Sequence, residues 1–94
     1  MIKLFLIISY FATMAELSEI ERYMINRVKE KRIKAGLTQA VLSVAMDLSP
    51  SFVGNVESGN SAHKYNVNHI NKLAIIFECS VRDFFPDQPF SDKR

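Results

Sequence analysis

The chain has 94 residues, room for one small domain with a single core, and its 48% hydrophobic content is that of a globular protein. A net charge of +2 is too small to imply a polyanionic partner by itself. The charge is uneven, however: seven basic residues stand against three acids between Arg27 and Lys72, an excess that suits a nucleic-acid backbone and equally a solvated helix face.

Residues 1–15, MIKLFLIISYFATMA, form an apolar segment. Lys3, the run from Leu4 to Ala12 and Thr13-Met14-Ala15 have the look of a short signal peptide, but the run is too short to span a bilayer comfortably. A start of translation at Met14 is the favoured expectation, ahead of a packed extension and of a signal or anchor. The expected domain then covers 16–86, with a flexible tail at 87–94.

Apolar residues mostly recur every three or four positions, and glycine and proline number three each, so the expected fold class is all-α: a compact five-helix domain. A first helix is expected from Leu17 to Ala35. Ser18 or a neighbour caps it, Glu19 and Glu21 sit in its first turn, and Lys31, Arg32 and Lys34 in its last. Ile20, Met24 and Val28 give it a core stripe, and Gly36 ends it. A second helix, capped by Thr38, runs to Met46 with Val41, Leu42 and Ala45 inward.

Asp47-Leu48-Ser49 forms a tight turn in which Asp47 takes a positive φ. Ser49 is the expected cap of a third helix, Pro50 its first residue, Val53 and Val56 its core face and Gly59 its end. After a polar loop from Asn60 to Asn66, a fourth helix covers Val67 to Phe77 with Ile70, Leu73, Ala74 and Phe77 on one face. Ser80-Val81-Arg82-Asp83 resembles a capping box and opens a fifth, short helix that ends at Pro86.

Two short helices joined by a three-residue turn, the second opened by Ser49-Pro50-Ser51, have helix-turn-helix spacing. From Val28 to Phe85 the chain resembles the phage-repressor/Cro-like, or XRE, helix-turn-helix family. The residues that carry the resemblance are Arg32, Gly36-Leu37-Thr38-Gln39, Leu42, Ser49, Val53, Val56, Glu57 and Gly59, then Leu73-Ala74, Cys79-Ser80-Val81 and Asp83-Phe84-Phe85. The resemblance implies double-stranded DNA as partner, with Gln39 on a phosphate, Ser51, Phe52 and Asn55 facing the major groove, and Arg32 paired with Glu57.

Three residues depart from the family pattern: Ser43 for alanine, Asp47 for glycine, and Gly54, read as an outer-face residue that costs about 1 kcal/mol against alanine. The third helix has no lysine or arginine, which removes the commonest contact to guanine and favours A·T pairs through Asn55, Phe52 and Ser51. Positive charge then comes from the flanks, with Lys64 the loop candidate. The candidate contact set is Thr38, Gln39, Ser49, Ser51, Phe52, Asn55, Ser58 and Lys64.

The expected function is a cytoplasmic transcriptional regulator, a repressor acting as a homodimer. The alternative is an antitoxin or other interaction module that meets a toxin through its apolar C-terminal region, where Phe84, Phe85 and Phe90 lie. Neither an enzyme, a cofactor nor a membrane partner is expected. No phosphate loop or nucleophile elbow is present, and His63, His69 and Cys79 match no tight zinc spacing. The single Cys79 excludes an internal disulfide and fits a reducing compartment.

Overall fold

The computed structural model describes residues 16–60 and 62–91. The apolar segment 1–15, and with it the choice between start site, extension and signal, lies outside the described residues. The described residues contain four α-helices, α1 (Glu19–Lys34), α2 (Gln39–Ala45), α3 (Phe52–Glu57) and α4 (Val67–Phe77), then a 3-10 turn at Val81–Phe84. They contain no strand, and the fold is all-α. No described helix is long and apolar enough to cross a membrane.

Local chemistry sets most of the boundaries. Ser18 and Glu21 form a reciprocal capping box at the start of α1 (2.8 and 3.2 Å), and the helix ends before Gly36 at φ +73°. Thr38 Oγ1 accepts the Val41 N–H at the start of α2. Asn66 and His69 form a second capping box at the start of α4: His69 N donates to Asn66 Oδ1 at 2.8 Å, and Asn66 N to His69 Nδ1 at 3.0 Å. Gly59 closes α3 at φ +82°, and Asp47 turns the chain between α2 and α3 at φ +61°.

Two helix faces differ from expectation for the same reason. On α1, Val28 is buried and Met24 packs partly buried against the core as expected, but Ile20 is 38% exposed; Ile25 goes in instead, with Leu17 ahead of the helix and Glu21 and Arg32 half-buried on the same side. On α2, Val41 (53% exposed) and Ala45 face outward, and only Leu42 of the expected three goes in, beside Ser43 and Met46. In both helices polar residues lie on the inner face, so apolar spacing alone puts the stripe out of phase.

Two further elements are shorter than expected. α3 begins at Phe52, not at Pro50. Ser49 contributes its backbone carbonyl to Phe52 N, while Ser51 occupies the cap position without a side-chain cap bond. The expected fifth helix is the 3-10 turn. Ser80 Oγ caps Arg82 N, the Asp83 carboxylate reaches Lys31 at 3.8 Å, and Phe85 is already extended, as the residue before proline tends to be. The turn plants Phe84, fully buried, in the core with Val28, Leu42, Met46, Val53, Val56 and Leu73. Beyond it, Phe90 meets the Tyr23 ring edge-on at 6.1 Å.

Candidate nucleic-acid interface

α2 and α3 pack closely, and a buried polar side chain, Ser43, joins them. Ser43, fully buried, donates its hydroxyl to Gln39 O one turn back (2.8 Å) and accepts the Val53 N–H from α3 (2.9 Å). The first-turn amides of a helix have no partner within it. Ser43 therefore supplies from α2 a cap bond that neither Ser49 nor Ser51 supplies. The turn is fastened from the other side by Lys72 of α4, whose Nζ lies 3.3 Å from both Met46 O and Asp47 Oδ2.

The rear of the motif is held by Arg32 and Glu57. Arg32 Nε and Nη2 donate to the two carboxylate oxygens at 2.8 and 2.9 Å, and Nη1 donates to Leu37 O at 2.8 Å. The side chains are 11% and 2% exposed. Hydrogen bonding to Glu57 raises the guanidinium pKa above its ordinary value. Tyr65 lies behind it, its hydroxyl without a hydrogen-bond partner among the described residues; burial, with Glu57 close by, pushes the phenol pKa up.

The candidate contact residues separate into two groups. Thr38, Gln39, Ser49, Ser51 and Asn55 are exposed. The Ser49 and Ser51 hydroxyls lie 3.3 Å apart, and Asn55, four residues after Ser51, stands away from buried Val53 and Val56. Gln39 donates through Nε2 to Glu57 Oε1 at 3.0 Å.

The other three have partners inside the protein. The half-buried Phe52 ring packs on His69 at 5.0 Å and Tyr65 at 6.0 Å, an aromatic cluster supplied by the loop and α4. Ser58 Oγ donates to Asn55 O at 2.6 Å. Lys64 pairs with Glu21 at 3.0 Å and ties the loop to α1. Gly54, expected on the outer face, is half-buried beside Gln39.

A helix-turn-helix family model matches residues 28–84, more than half of the chain. The chain belongs to the phage-repressor/Cro-like (XRE) helix-turn-helix family. No curated protein and no solved structure matches it. As an XRE-type domain it is a DNA-binding module, with α2 and α3 as its helix-turn-helix. Ser43 replaces alanine with a hydroxyl able to bond back to a carbonyl of its own helix, and it does so to Gln39 O; its second bond, from Val53 N, is what reasoning from apolar periodicity misses. A buried serine with both hydrogen-bonding functions used is visible only once Val53 N is placed.

Proposed function

We propose that this XRE-type protein is a sequence-specific transcriptional regulator, a cytoplasmic repressor that binds its operator as a homodimer with α3 in the major groove. The observation that carries the reading is the exposed pair Ser51 and Asn55 on the outward side of α3, next to the open N-terminal end of α2. Asn55 has the amide that grips adenine, and α3 has no lysine or arginine for guanine, so A·T pairs are favoured at these positions. Thr38, Gln39 and the free amides at the start of α2 meet phosphate, with Ser49 at the edge of the same surface. Lys34, exposed at the end of α1 and without an ion pair among the described residues, is the flanking cation nearest in sequence to that end.

Exposed Ile75, Val81 and Phe85 support a protein-binding surface on α4 and the 3-10 turn. A second copy is the occupant expected of a repressor; a toxin would occupy it in the antitoxin reading. Selection from random DNA supplies the operator. Asn55→Ala then weakens operator binding by about 1–3 kcal/mol and leaves scrambled duplex nearly unaffected. Equal losses on both duplexes would mean that α3 is not the reading helix. A wild type without sequence preference would favour the antitoxin reading.

A further inference from the structure

Two of the three glycines occupy backbone that favours glycine, Gly36 at φ +73° and Gly59 at φ +82°; Gly54 does not. It lies inside α3 in ordinary helical backbone, where glycine is a poor helix former. What distinguishes its position is its neighbour. A Cβ built on Gly54 would meet Gln39 Oε1 at 3.1 Å and Gln39 Cδ at 3.6 Å. The missing side chain leaves a notch in α3, and the amide of Gln39 lies in it.

The opposite side of that amide is also fixed. A carboxylate only accepts hydrogen bonds, so the atom facing Glu57 Oε1 at 3.0 Å is the Gln39 nitrogen. Glu57 is itself held by two bonds from Arg32. The Gln39 amide is thus pinned between a carboxylate and a glycine, with its second N–H unspent among the described residues.

We propose that Gly54 is a positioning residue: by leaving space for the Gln39 amide against Glu57, it sets that amide's free N–H in place for a DNA phosphate. The inference rests on the reading of Gln39 as a phosphate contact and adds what orients it. A Cβ at position 54 forces the amide outward by a few tenths of an ångström, against a hydrogen bond already at 3.0 Å. The phosphate contact is then made from an unheld side chain, which must lose rotamer freedom on binding.

The test uses the full chain and a random-sequence duplex, because a phosphate contact acts on any DNA. Gly54→Ala, Gln39→Ala and the double variant are titrated with the duplex. Thermal melting and the side-chain amide NMR signals of Gln39 are recorded on the free proteins. Gly54→Ala is expected to melt no lower than the wild type, to bind about tenfold more weakly, and to move the Gln39 amide signals towards those of a solvent-exposed glutamine. In the Gln39→Ala background the same change leaves affinity where it was.

Equal weakening in both backgrounds, or unchanged Gln39 signals in Gly54→Ala, overturns the proposal. If Gln39→Ala alone binds like the wild type, the phosphate reading fails and the positioning role with it. That failure is distinguishable, because the amide signals still report whether the notch holds the side chain.

Discussion

Single residues hold this domain together at points where the apolar pattern is silent. Arg32 and Glu57 are 25 positions apart in sequence and form a bidentate pair almost closed to solvent. Removing one partner leaves the other charged and buried, which costs more than the pair contributes when intact. Arg32→Ala is therefore expected to lower stability by about 3 kcal/mol, read from denaturant or thermal unfolding at neutral pH. A loss below about 1 kcal/mol would match a solvent-screened pair. Nothing in the spacing of Arg32 and Glu57 links them; only the family resemblance does. Ser43 and Phe52 show the same limit. A serine among apolar residues and an aromatic on α3 acquire their roles from Val53 N and from the Tyr65 and His69 rings, all brought in by the fold.

At the level of elements, punctuation was more legible than faces. Gly36, Thr38, Asp47 and Gly59 each carry a local backbone or capping preference, and each sits at a helix boundary in the structure. Inward faces were harder to read because Arg32 and Ser43 point inward, while Ile20 and Val41 are spared burial. The start of α4 adds a pH dependence. His69 Nδ1 must be unprotonated to accept the Asn66 N–H, and its ring lies against Phe52. Burial, helped by Lys72, lowers its pKa below the ordinary 6.5. The folded state thus holds the proton less tightly than the unfolded chain. Its contribution to stability is complete above about pH 6.5 and declines as pH falls from there through the lowered folded value. Melting temperature followed from pH 7.5 to 5 checks this: His69→Gln should flatten that part of the profile, and an identical slope in the variant would assign the dependence elsewhere.

Over the whole molecule, the local excess of positive charge is mostly spent internally. Arg27, Lys31, Arg32, Lys64 and Lys72 each pair with an acid, which leaves Arg22, Lys29, Lys34 and Arg82 without an ion pair among the described residues. Charge counting along the sequence therefore overstates what is free to meet phosphate. The dependence of DNA affinity on salt should be correspondingly shallow. Lys34→Ala should reduce the slope of log K against log salt by about 0.9, the value of one phosphate neutralised. Lys64→Ala should change it less, because Lys64 is already matched by Glu21. Titrations at several salt concentrations give both slopes, and a larger change for Lys64 would place the loop, not the end of α1, against the DNA backbone.

The bond from Val53 N to Ser43 Oγ also bears on timing. A helix of six residues has no independent existence in water, and its first-turn amides ordinarily exchange with solvent almost freely. Here one of those amides is closed by the neighbouring helix, so α3 can open only when it parts from α2. Deuterium should enter the Val53 amide as slowly as the amides of the buried core. In the proposed complex α3 would then arrive at DNA already formed, and the encounter would not wait on a folding step.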